Sequence, residues 1–185
     1  MKIGLVGEAP NDTRAIQNLL SRRYEHLEFT TLINDIHGSM LDSKKAIRRL
    51  LRIEYEIQKP DLIIFIRDLD SLETDKKAKR KRQSFFSSAN SIVDKFGIYL
   101  LNIYELEALI LADIEVFNSH YGCMANVFQD PMLIIMPKEV LIEASGYKFI
   151  ESHNPELFSL LNFDIVYERC RYFSRFIKKF EKALS

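Results

Sequence analysis

The chain has 185 residues, 47% apolar and 28% charged, with 13 Phe, 8 Tyr and no Trp; that length suits one domain with a real core and excludes a disordered chain. No apolar run approaches the roughly 18–20 residues that span a bilayer, and Cys123 and Cys170 lie far apart without CxxC spacing, so neither a disulfide framework nor a zinc site is expected and a reduced, cytoplasmic chain is. The net charge is zero but unevenly spread: residues 1–99 hold 18 Lys/Arg against 14 Asp/Glu, residues 100–168 hold 2 against 11, and residues 169–185 hold 6 against 1, so a nucleic-acid partner is not excluded.

The opening Lys2-Ile-Gly-Leu-Val-Gly7 reads as a first strand and not as a signal peptide, because Glu8 and Pro10 stand where a cleavage region would be. Pro10, Asn11 and Asp12 supply turn and capping chemistry for a helix over 12–23, with Ile16, Leu19 and Leu20 on its inner side. A second strand is predicted at Leu27 to Leu32. The next helix, capped by Asp42 or Ser43, places Ala46, Ile47, Leu50, Leu51 and Ile53 inward and ends before Pro60. Asp61-Leu-Ile-Ile-Phe-Ile66 is apolar on both faces, as a buried parallel strand must be. It stops at Arg67-Asp68-Leu69-Asp70. A polar stretch then leads into a helix running to about Phe96, a fourth strand at Gly97 to Ile103, and a helix beginning at Tyr104.

Strands alternating with helices imply a parallel sheet covered on both faces. Beyond residue 113 the pattern loosens. Leu133-Ile-Ile-Met136 fits a small strand or a core turn, Pro137 opens a helix at its favoured first position, and 156–184 is helical with Phe173, Phe176, Ile177 and Phe180 on one side. The expectation is an α/β domain of about four parallel strands over 1–112, with a helical extension over 113–185 packed on it as one structural unit.

In an open parallel sheet, ligands collect beyond the carboxyl ends of the strands. Three predicted strands end in acids: Glu8 after the first, Asp68 and Asp70 after the third, Glu105 and Glu107 after the fourth. If the chain stays extended, Asp68 and Asp70 point the same way. Acids converging at one edge repel one another unless a hard cation sits between them, and Mg²⁺ takes carboxylates plus water. Each acid alone also fits a capping or solvated role; the order and alternation of the set point to a site.

Gly7-Glu8-Ala9-Pro10-Asn11-Asp12, then a helix, then Arg67-Asp68-Leu69-Asp70, resembles the Glu and Asp-x-Asp signature of toprim domains. These are the Mg²⁺-dependent catalytic folds of topoisomerases, primases, recombination proteins and the overcoming-lysogenization-defect nucleases. Three further segments, Ile103 to Asp113, Pro137-Lys-Glu and Glu168 to Phe176, resemble small stand-alone toprim-like proteins often encoded beside ATPases in bacterial defence loci. The resemblance implies a toprim/Rossmann-like sheet and an Mg²⁺- or Mn²⁺-dependent nuclease serving anti-phage defence. Glu8 would be an acid/base or metal-proximal carboxylate and Asp68 and Asp70 metal ligands, with Glu107 completing a second metal site. Ala9 departs from the Gly usual there. No topoisomerase-like domain or primase zinc module accompanies the signature, so DNA relaxation and primer synthesis are not expected.

Just past Asp70, Lys76, Lys77, Lys79, Arg80, Lys81 and Arg82 put six cations in seven positions. Such a run is either a solvated helix face or a phosphate-backbone contact that releases counterions. Arg169 to Lys182 alternates cations with aromatics, which reads as an amphipathic helix before it reads as a base-stacking surface. His37 reads as a turn residue near the same edge. Without Gly-x-Gly-x-x-Gly or a P-loop Lys, the usual modes of nucleotide binding have no support. Three functions come into question: a nuclease acting on DNA or RNA; a non-catalytic toprim-like module that docks to an ABC-type ATPase, its acidic stretch 100–168 serving as that surface; and, more weakly, an α/β response-type regulator modified at an Asp near 68, which no matching Lys-containing pattern supports.

Overall fold

The computed structural model describes residues 1–33 and 46–185, so the caps expected at Asp42 or Ser43 and the His37 turn lie outside the described residues. Four parallel strands carry the fold: β1 (Lys2–Val6), β2 (Glu28–Ile33), β3 (Leu62–Asp68) and β4 (Gly97–Asn102), in the order β2-β1-β3-β4. The expected class, a four-stranded parallel α/β sheet flanked by helices and followed by a helical part, is the one adopted.

β3 is central because it can be buried on both sides. Its residues Leu62 to Arg67 are all buried, and alternation sends them into two cores. Leu62, Ile64 and Ile66 join the larger cluster; Ile63 and Phe65 join a smaller one with Val6, Leu32, Leu51, Ala89 and Val93. Helix α1 (Pro10–Ser21) covers the first face through Ala15, Ile16, Leu19 and Leu20; α2 (Ala46–Gln58) and α3 (Lys76–Asn90) cover the second.

After β4 come α4 (Ala108–Ala112), α5 (Ile114–Tyr121), α6 (Pro137–Ala144), α7 (Asn154–Leu160), α8 (Phe163–Arg169) and α9 (Arg171–Leu184). Two expected helices differ: the one expected from Tyr104 begins at Ala108, Tyr104 itself lying in the left-handed region (φ 55°), and the one expected over 156–184 is broken. At Asp113 the backbone leaves helical geometry (φ −119°, ψ 57°), and its buried carboxylate accepts the Asn162 N–H at 2.7 Å. The helix expected over 156–184 is three, because Asn162 caps α8 by accepting from Asp164 N–H at 3.0 Å and Cys170 adopts an extended backbone before α9. Leu133-Ile-Ile-Met136 is no strand: Pro131–Leu133 forms a 3₁₀ turn, and Leu133, Ile135 and Met136 are exposed.

Phe173, Phe176, Ile177 and Phe180 of α9 are buried as the 3.6-residue period requires, in the same cluster as β1, β3 and β4. Each such burial is worth about 1.5–3 kcal/mol. The helical part therefore shares its core with the sheet. Among the described residues no helix is long and apolar enough to cross a membrane.

Candidate functional site

From β1 the chain moves to β2 on one side, and β3 and β4 lie on the other, so a crevice opens at the carboxyl ends of β1 and β3, where such folds hold ligands. Gly7 makes the turn out of β1 tight enough: a Cβ there would meet Thr13 Cγ2 at 2.8 Å. Ala9 sits in extended backbone (φ −120°, ψ 152°), a conformation open to any residue, so the step from Gly to Ala strains nothing at that point. Pro10 opens α1, and one turn in, Asp12 reaches back to accept the Ala9 N–H at 3.3 Å. That return aims the Asp12 carboxylate at the strand ends.

β3 stops at Asp68. Asp70 lies in the left-handed region (φ 56°), which Asp tolerates better than most residues. The extended alternation that would align Asp68 and Asp70 therefore ends one residue too soon. The turn is pinned instead to the exit of β4: Leu69 N–H donates to Asn102 O (2.9 Å) and Asp70 N–H to Tyr104 O (3.0 Å).

Each acid at this edge has a specific partner. Glu8 pairs with the guanidinium of Arg67 at 2.8 Å, and Arg67 is wholly buried, its head 5.0 Å from the centre of the Phe85 ring. Asp70 pairs with Arg82, whose Nε also donates to the Asp68 backbone carbonyl at 2.8 Å. The Asp68 carboxylate accepts from Asn102 Nδ2 at 2.9 Å, and Glu107 accepts from Asn154 Nδ2 at 2.8 Å. Glu105 accepts the Lys138 N–H at 3.3 Å, and Lys138 Nζ lies 2.7 Å from Glu151 and 3.7 Å from Glu105.

The partners set the electrostatics. Burial raises Asp68 well above the usual carboxylate range, and the nearby charges of Asp12 and Glu107 add to it. Burial likewise pushes Glu107 up to about 7, against the hydrogen bond from Asn154, and Asp12 up to about 6, with Glu8 adding. Glu105 is raised by burial, with Lys138 opposing. Lys138 is raised chiefly by its hydrogen bond to Glu151.

The structure thus brings Asp68, Asp70 and Glu107 into one electrostatic neighbourhood, with Glu8 joined to it through Asp12 and Arg67. Glu107, the residue just before α4, is 95% buried in an otherwise apolar run. Within the basic run, Lys76, Lys77, Arg80 and Lys81 are exposed and Lys79 lies 3.7 Å from Glu73, whereas Arg82 turns inward to the acids. Asp12, Arg67, Asn102, Lys138 and Asn154 were not singled out as site residues from the sequence. An acid on the third helical position after the first strand was the available signal for Asp12, and the inner stripe of α3 (Ala78, Arg82, Phe85, Ala89) was the signal for Arg82. The lone amides carried none. Among the described residues, no three His, Cys, Asp or Glu side chains are gathered as the ligand set of one ion.

Fold and site together define a parallel α/β protein with electrostatically coupled carboxylates at the switch point of its sheet. Residues 8–181 match the family described as "Domain of unknown function (DUF4276)", and the chain belongs to that family. Comparison with curated proteins gives no match, and neither does comparison with solved structures.

Proposed function

We propose that the protein is a Mg²⁺-dependent phosphodiesterase of toprim type that cuts DNA or RNA. The observation that carries the reading is the electrostatic coupling of Asp68 to Asp12, Asp70 and Glu107 near the carboxyl end of β3, with Asp68, Glu107 and Asp12 raised by burial and mutual repulsion. Acids crowded this way gain most from a divalent cation, and their all-oxygen donor set suits Mg²⁺ or Mn²⁺. Asp68 and Glu107 would hold the ion with water completing its coordination, and Asp12 and Asp70 would add negative charge nearby. When bound, it supplies charge for a phosphoryl group and its leaving oxygen.

The chain's own groups do the rest. Glu8, about a third exposed and held by Arg67, orients the attacking water and takes its proton. Arg82 fixes the Asp70 turn. The exposed Lys76, Lys77, Arg80 and Lys81 draw in the phosphate backbone. An ABC-type ATPase partner and a place in phage defence belong to this proposal as its biological setting.

The competing function, a non-catalytic module docked to such an ATPase, is favoured by one feature: Glu8 and Asp70 are already neutralised by Arg67 and Arg82. A cleavage panel on DNA and RNA, with and without Mg²⁺ or Mn²⁺, separates the two. Cutting that needs metal and vanishes in Asp68→Ala is the expected result. Nucleic-acid binding without cutting would assign the chain to the module.

A further inference from the structure

Among the described residues, three buried polar atoms in this neighbourhood have no hydrogen-bond partner. Asn102 is fully buried; its Nδ2 serves Asp68, and its Oδ1 on the same head group has no partner. Asn154 is 99% buried; its Nδ2 serves Glu107, and its Oδ1 has none. Tyr172, on α9 and 92% buried, has a hydroxyl with no partner, and the charges of Asp68 and Glu107 act on it. An unmet buried polar group costs about 1–3 kcal/mol. Asn102 at the end of β4 holds Asp68, Asn154 at the start of α7 holds Glu107, and Tyr172 in the first turn of α9 lies within reach of the charge of both acids.

Their chemistry narrows the occupant. Two carboxamide oxygens accept only, and a phenol accepts as well as donates. A bare ion satisfied by carboxylates alone has no use for a further ring of acceptors. A hydrated ion does, because its water ligands are donors, and Mg²⁺ parts with water reluctantly. We infer that Asp68 and Glu107 hold a divalent cation that keeps part of its water shell, and that Asn102 Oδ1, Asn154 Oδ1 and the Tyr172 hydroxyl accept hydrogen bonds from that shell. This rests on the metal-binding reading above and adds three positioning residues to it. It also assigns a task to the C-terminal helix, which brings Tyr172 to a site otherwise built by the sheet and the segments next to it.

The test is Mn²⁺ binding to the full chain, followed by the paramagnetic resonance of free Mn²⁺, with Asp68→Asn marking which binding belongs to the site. Tyr172→Phe, which removes only the unpartnered hydroxyl, should weaken Mn²⁺ about tenfold, the lower end of what outer-shell partners of a metal contribute. Its melting temperature without metal should hold or rise, so lost affinity cannot be ascribed to misfolding. If Mn²⁺ binds but Tyr172→Phe binds it as tightly as wild type, the inference falls and the metal reading stands. If Mn²⁺ binds wild type and Asp68→Asn alike, or neither, both fall.

Discussion

The acids at the sheet edge fall into two sets that differ in what holds them. At the rim, Glu8 and Asp70 face guanidinium groups, Arg67 and Arg82. In the interior, Asp68 and Glu107 face the neutral carboxamides of Asn102 and Asn154, and Asp12 faces a backbone N–H. A cation partner offsets the charge of a carboxylate directly. An amide donates one hydrogen bond and leaves the charge in a low-dielectric setting, so burial wins and Glu107 and Asp12 climb to about 7 and 6. The rim is thus a set of closed ion pairs, and the interior is the part with charge still to be matched. A divalent cation would be drawn to the second set.

If that division is right, the largest loss of stability comes from removing the rim's buried cation. Arg67→Ala deletes a wholly buried side chain, its pairing with Glu8 and its contact with the Phe85 ring. Glu8, partly exposed, can still be hydrated, so the cost sits at the lower end for a broken buried pair, about 3 kcal/mol. Urea unfolding reads it directly. A cost below about 1 kcal/mol would mean that the rim is not held by its cations, and the contrast with the interior would dissolve.

The interior should instead declare itself through pH. Glu107 has a folded pKa of about 7, above its ordinary 4.5, so the folded protein binds that proton more tightly than the unfolded chain. The stability gained this way is complete below about pH 4.5 and is lost as pH rises through 7. Glu107→Gln keeps the shape and the neighbourhood of Asn154 but cannot ionise. In metal-free buffer, the drop in unfolding free energy between pH 5 and pH 8 should therefore shrink by about 2 kcal/mol, somewhat under the full linkage value of the shift. An unchanged pH profile would show that burial does not hold the Glu107 proton, and the contrast would lose its interior side.

How far the sequence discloses this division depends on the residue. β3 is legible because a strand buried on both faces must be continuously apolar, and once β1 and β3 are placed, Glu8 and Asp68 lie at their carboxyl ends. Glu107 stands out as one acid in an apolar run. Asp12 hides behind a capping role that it does perform, since the same bond to Ala9 that caps α1 also points it at the crevice. Asp70 is placed by a left-handed turn, which an Asp-x-Asp spacing cannot announce. Asn102 and Asn154 are invisible for a simpler reason: they are single amides whose partners are 34 and 47 residues away.

Arg82 tests the rim from its exposed side. Its partner Asp70 has a side chain 62% exposed, so water takes over much of the lost interaction, and the charge pair itself is worth little. What remains is the bond to the Asp68 carbonyl and the packing of a buried stem. Arg82→Ala should cost about 1 kcal/mol in urea unfolding, a third of the Arg67 value. Equal costs for the two variants would place Asp70 in the interior set.

The smallest effect on stability belongs to the four exposed cations that share a helix with Arg82. Lys76, Lys77, Arg80 and Lys81 lie on the outer face of α3, whose N-terminus is capped independently by Asp75 accepting from Lys77 and Ala78 N–H, both at 2.9 Å. Alanine at all four positions keeps those backbone bonds and raises helix propensity slightly, so stability should stay within about 0.5 kcal/mol. Nucleic-acid binding should respond differently. If these cations neutralise phosphates, the quadruple variant weakens binding to duplex DNA, and the slope of log K against log salt falls by about 3, close to the 0.9 per contact that counterion release predicts. Arg82→Ala alone should leave that slope almost unchanged, because its guanidinium is engaged at the acids. An unaltered slope in the quadruple variant would make the outer face of α3 a solvated surface, and Arg82 would stand apart from the run as the cation that turns inward to the acids.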